Sequence, residues 1–159
     1  MASTITPPWF PVTGSAKASL VAAAQTWENT KVSEQYIQQA LAQPDVELDV
    51  LISAYRYYFY KNNNDRALEM AVAVCDRIQK NNQWPTDWES LKPLLISRLD
   101  EATVRIYLSA YAASGLLLGR LGRLETAQMI ARNVKQIDAK EFGGELLLNI
   151  LQFTEEEKD

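Results

Sequence analysis

GLLLGRLGRLETAQMIARNV, residues Gly115 to Val134, decides the fold. Gly115, Gly119 and Gly122 stand with Arg120 and Arg123 ahead of a run with helical spacing. A phosphate-cradling loop needs Gly-x4-Gly-Lys-[Ser/Thr] after a strand, so that backbone donors and a lysine converge on phosphate. Here no lysine follows the glycines, and the segment before them is helical by pattern. Gly115 and Gly119 also spell Gly-x3-Gly, a close-packing motif of membrane helices. The uncharged run from Ile106 to Gly119 is bracketed by Arg105 and Arg120, and it falls short of the ~18 apolar residues that a spanning helix needs. What remains is a helical hairpin. Ala110, Ala112, Ala113, Ser114 and Gly115 make a flat face, Gly122 permits a sharp turn, and Ala127, Ala131 and Val134 fold back onto that face.

Working outward, nearly every other segment also reads as helix. Ser15 can cap AKASLVAAAQTWEN, whose alanines favour helix. TKVSEQYIQQALAQ carries Val32, Tyr36, Ile37, Ala40 and Leu41 on one stripe, and Pro44 forbids helical backbone at Gln43. VELDVLISAYRYYFYK is apolar nearly all round and must be covered on several sides. Asn62 to Asn64 form a turn, because Asn tolerates left-handed backbone, and Asn64 caps the next helix. Ala67, Met70, Ala71, Val74 and Ile78 form that helix's buried stripe. NNQWPTDW breaks the pattern, and a short helix from about Thr86 is interrupted near Pro93. Helices then run from about Asp100 to Leu121 and from Leu124 to Asp138. KEFGGELLLNILQF supplies a last short helix that caps the array, with Phe142, Leu146, Ile150 and Phe153 on one face. No stretch alternates with a period of two, so the expected fold class is all-α. Its expected parts are an extended arm at residues 1–14, a single helical domain at residues 15–153 and an acidic tail at residues 154–159.

Composition narrows the chemistry. The 159 residues are 47% hydrophobic and 23% charged, the mix of a globular domain large enough to bury a core. Histidine is absent, which removes the commonest general base and the commonest metal ligand. Cys75 is the single cysteine, too few for a thiolate metal site or an intrachain disulfide. It lies in a buried stripe with nothing nearby to acidify it, so an inert packing role is expected. Carboxylates pair at Asp87 and Glu89, Asp100 and Glu101, and Glu141 and Glu145, yet acid–base work needs two carboxyls in one pocket with split acidities. Helix-end or surface roles suit each pair. The net charge of −4 and pI near 5.0 disfavour nucleic acid and anionic membrane. No cofactor and no metal are expected, and a cytoplasmic location is.

The hairpin spacing resembles the tetratricopeptide repeat. Tyr111, Gly115, Leu118, Gly122, Leu124, Ala127, Ala131 and Val134 fill that pattern in order, and Ala139 stands where the repeat closes with proline. Leu51, Tyr55, Tyr58, Asn62, Ala67, Ala71 and Val74 take the same spacing less well, with Tyr55 where a small residue is wanted. Ala67 and Ala127 stand 60 positions apart, which is no whole number of 34-residue repeats. Residues around WPTDWESLKPLLISRLD are therefore an insertion or a degenerate repeat, and Tyr36 to Pro44 resemble the back half of an earlier unit. The resemblance implies antiparallel hairpins stacked as a short right-handed array, closed by the C-terminal capping helix.

Such arrays hold a peptide or partner helix on a concave side. By resemblance that side is lined by the first helix of each pair. Asp49, Ser53, Arg56 and Tyr60 form one polar line, and Glu101, Arg105, Ala112, Leu116 and Arg120 a second. Either line can be a solvent face, or can pair its arginines with a partner's carboxylates. Trp84 and Trp88 flank Pro85 and either anchor an interface or pack on the body. The tyrosines from Tyr55 to Tyr60 read as core, with hydroxyls reaching the surface. The expected function is a non-catalytic adaptor or chaperone-like scaffold for a protein or peptide partner, with no nucleic acid and no membrane as ligand. The rival readings are a small all-α enzyme or accessory subunit using paired carboxylates, and an α-bundle that self-associates through Phe142, Leu146, Ile150 and Phe153 as a homodimer.

Overall fold

A computed structural model describes residues 16–137. They form seven α-helices, with no strand among the described residues, so the chain is all-α. It divides into two compact units, residues 1–70 and residues 71–159, and the boundary falls inside the fourth helix. The expected arm at residues 1–14, Ser15, Ala139, the expected capping helix with Phe142, Leu146, Ile150 and Phe153, and the expected tail at residues 154–159 lie outside the described residues.

The first unit holds α1 (Lys17–Gln25), α2 (Thr30–Leu41), α3 (Leu48–Tyr60) and the start of α4 (Asn64–Asn82). α1 buries Leu20 and Ala23, and packs along α2, which buries Ser33, Ile37 and Ala40. Those α2 positions recur at steps of four and three, the spacing of one helical face. That face is turned slightly from the expected stripe, leaving Val32, Tyr36 and Leu41 half-buried. Asn29 caps α2 by accepting from the Val32 amide at 3.3 Å. α3 packs next to α2 and buries eight residues, from Val50 to Tyr58, as its all-round apolar sequence requires.

The second unit holds the rest of α4, then α5 (Trp88–Ser97), α6 (Ala102–Arg120) and α7 (Leu124–Ile137). α6 and α7 pack along one another as a hairpin. Ala110, Ser114 and Gly115 on α6 and Ala127, Ala131 and Val134 on α7 are all buried, so small side chains let the two backbones approach. α5 is capped by Asp87, which accepts from the Ser90 amide at 3.0 Å. Pro93 does not interrupt α5, which runs on to Ser97. Proline removes a single donor there, on an exposed face where water reaches the carbonyl left over, while Leu91 and Leu95 are buried to either side.

Three helices end in the same way. At the α6 terminus Gly122 has φ 87°, its amide donates to the Gly119 carbonyl, and the Arg123 amide donates to the Leu118 carbonyl. At the α3 terminus Asn62 has φ 60°, with donation from Asn62 to Phe59 and from Asn63 to Tyr58. At the α4 terminus Gln83 has φ 54°, with donation from Gln83 to Lys80 and from Trp84 to Gln79. This paired bonding satisfies carbonyls that a helix end leaves open, and needs one left-handed residue. The cap of α4 is Asn63 rather than Asn64: the Asn63 side chain accepts from the Arg66 amide at 3.2 Å. The turn is one residue shorter than the sequence suggests, and Asn64 is already the first residue of α4. No described helix is long and apolar enough to cross a membrane.

Candidate partner-binding site

The expected line on α3 is broken at its middle. Asp49 is exposed, Arg56 half-buried and Tyr60 52% exposed, but Ser53 has no accessible surface. Its hydroxyl donates to the Asp49 carbonyl at 2.9 Å, one turn back on its own helix. Ser53 therefore leaves the candidate set, because a short side chain on a helix apolar nearly all round cannot reach past its neighbours. The C-terminal turn of α3 is left, where the Phe59 and Tyr60 rings meet edge to face at 6.0 Å, next to Arg56. In the second unit Arg105 and Arg120 are both exposed on α6.

Trp84 also leaves the candidate set. It is 7% exposed, and its ring stands edge-on to Tyr107 at 5.7 Å. Tyr107 stacks on Tyr111 at 5.8 Å, and Tyr111 stacks on the half-buried Trp88 at 5.8 Å. The Trp88 indole donates to Gln136 at 3.3 Å, and Asn133 donates to the Tyr111 hydroxyl at 2.9 Å, so α7 holds this ladder of rings in place. Both tryptophans pack on the body of the second unit.

Tyr57 and Tyr58 are each 1% exposed, so their hydroxyls do not reach the surface as the sequence suggests. The Tyr57 hydroxyl shares a short hydrogen bond with Ser33 of α2. Burial raises its pKa, Ser33 lowers it and Glu34 raises it again. The Lys61 ammonium sits 3.8 Å from the centre of the Trp27 ring. It donates to the Trp27 carbonyl and to the Thr30 hydroxyl, at 3.1 Å for the latter. Burial lowers the Lys61 pKa, with Glu28 opposing. This clasp ties the turn before α2 to the end of α3. Sequence reasoning missed it, because a lysine 34 positions from its tryptophan leaves no periodic signal.

No group of three or more potential metal ligands comes together among the described residues. Asp87 is engaged as a helix cap, and hydrogen bonds from the Ser90 side chain and then from the Ser90 amide hold its carboxyl below the usual range. Cys75 is buried, with its sulfur 3.8 Å from the Tyr107 carbonyl, and burial followed by Asp76 pushes its pKa up to about 12. A thiol so protonated is a poor nucleophile.

No family model and no solved structure matches the chain. It is similar to the uncharacterized 19.8 kDa protein in nifW 5'region of Azotobacter chroococcum mcd 1. The two are 31% identical over 134 residues, which cover 82% of this chain and 74% of that protein.

Proposed function

The chain belongs to the family of that uncharacterized 19.8 kDa protein, and we propose that it is a non-catalytic scaffold of tetratricopeptide-like hairpins that takes up a peptide or partner helix. One observation carries the reading: the turns at Asn62 and Gly122 repeat the same bonds at an interval of 60 residues. In both, the amide of the fifth residue past the left-handed position, Ala67 or Ala127, donates to the residue at the corner, Asn63 or Arg123. Recurrence of one hairpin turn is what stacked helical pairs are made of. Arg56 and Tyr60 on α3, and Arg105 and Arg120 on α6, are the side chains through which a partner's carboxylates and apolar groups are held. A cytoplasmic location is part of this reading.

Photo-crosslinking tests it. A photoreactive residue is placed at position 60 or position 120, and capture from source extract is compared with and without Arg56→Glu plus Arg105→Glu. A discrete partner crosslinked from either position and lost in the double variant is the expected result. Retention of every partner by the double variant overturns the assignment of these faces.

A further inference from the structure

We propose that Lys61 is a positioning residue for the partner-binding face of α3, its positive charge fixing the directions in which Arg56 and Tyr60 are presented. The proposal rests on the scaffold reading of that face.

Two residues one turn apart on α3 grip the same indole. The Tyr57 ring meets the Trp27 ring edge to face at 5.5 Å, and the Lys61 ammonium lies 3.8 Å from the Trp27 ring centre. Tyr57 is buried, and its hydroxyl bonds Ser33 of α2. Lys61 is half-buried, and its ammonium donates to the Trp27 carbonyl and the Thr30 hydroxyl. The ridge made by Tyr57 and Lys61 is thus tied to the turn before α2 and to its first residue. Arg56 and Tyr60 are also one turn apart, and form the neighbouring ridge of α3.

Lys61 acts where α3 is weakest. It is the residue that closes the helix, its amide donating to the Tyr57 carbonyl at 3.0 Å. Helix ends fray unless something holds them. Tyr60 is 52% exposed and has little packing of its own to hold the last turn. The clasp at the next residue supplies that hold. Its strength lies in the charge. A cation is drawn to the face of an indole, and its bonds to a carbonyl and a hydroxyl oxygen are charge-assisted. An uncharged stem of similar length makes none of these contacts. A guanidinium makes them all, because it stacks on aromatic faces and donates.

Lys61→Met and Lys61→Arg therefore separate charge from bulk, and both are compared with the unaltered full chain. The side-chain resonances of Arg56 and Tyr60 are expected to move in Lys61→Met and to return in Lys61→Arg. Capture from source extract is read from a photoreactive residue at position 120, which leaves α3 intact. It should fall about fivefold in Lys61→Met, the weight of one cation–ring contact, and recover in Lys61→Arg. Thr30→Val, which removes one acceptor and keeps the charge over the ring, should fall between the two. Arg56 and Tyr60 resonances that stay in place in Lys61→Met, or that Lys61→Arg does not restore, overturn the positioning role. Resonances that move while capture holds overturn it too, since Lys61 then steadies the fold without serving the face. Resonances that move and recover in a chain that captures nothing from either position 60 or position 120 uphold Lys61 as the group that orients the two side chains, and overturn the scaffold reading alone.

Discussion

Asn62 and Gly122 occupy the same corner of two helical turns and share a left-handed backbone, with φ of 60° and 87°. Each donates to a carbonyl three residues back, and each is followed by a residue that donates five residues back. Two side chains of different size thus serve one geometry. Glycine adopts it freely, and asparagine is among the few other residues that tolerate it.

Gly122→Ala is expected to lower stability by about 1–2 kcal/mol, the penalty of left-handed backbone for a residue with a Cβ. Nothing lies within 4 Å of where that Cβ would go, so the loss is conformational rather than steric. Gly122→Asn should lose less, and Asn62→Gly should change little. Urea midpoints of the three variants check the order.

The α6–α7 hairpin was legible because its signals are local. Glycine at the turn and alanines at helical spacing state a geometry without reference to the rest of the chain. The other described helices were readable locally too, α1 from its alanines, α3 from its all-round apolar run, and the rest from stripes and breakers. Pro93 misled, because a proline on an exposed helical face is tolerated once Leu91 and Leu95 hold the segment. Ser53 misled because a polar residue type does not guarantee an exposed position. The contacts of Tyr57, Tyr58 and Lys61 were illegible, since each depends on which turn of α2 meets which turn of α3. Packing sets that, and no single helix's sequence records it.

The Ser33–Tyr57 bond should be measurable as a coupling. Tyr57→Phe and Ser33→Ala are each expected to cost about 1 kcal/mol, the net value of a neutral hydrogen bond, with a larger loss where the remaining group is left unpaired. The double variant should cost less than the two together, because removing both partners leaves no orphan at this contact. Denaturant unfolding of all four proteins gives the coupling, and strict additivity would show that the two hydroxyls do not interact.

Trp84 and Trp88 should separate cleanly. Trp84→Ala empties a buried place against Tyr107 and is expected to cost about 3–5 kcal/mol. Trp88→Ala removes one stacked ring and one hydrogen bond at a half-buried site, and about 1–2 kcal/mol is expected. Thermal unfolding ranks them. Equal losses would mean that the ladder of rings is held as firmly at its outer end as at its inner one.

Cys75 predicts a falling stability above pH 9. Its thiol titrates ordinarily near 9.0 and in the folded chain near 12. Between those values the unfolded chain releases a proton that the folded chain keeps, so rising pH favours unfolding. The stabilisation is complete below pH 9 and fades at up to about 1.4 kcal/mol per pH unit until the folded thiol itself ionises. Burial also raises the pKa of Tyr107 and Tyr111, which steepens the fall above pH 10 in any variant that keeps them. Urea midpoints for the unaltered chain and Cys75→Ala, measured from pH 8 to pH 10.5, isolate the thiol. Cys75→Ala should start less stable, because it empties a little of the core, and should lose stability more slowly with pH. Identical slopes in the two proteins would mean that the Cys75 thiol reaches water in the folded chain.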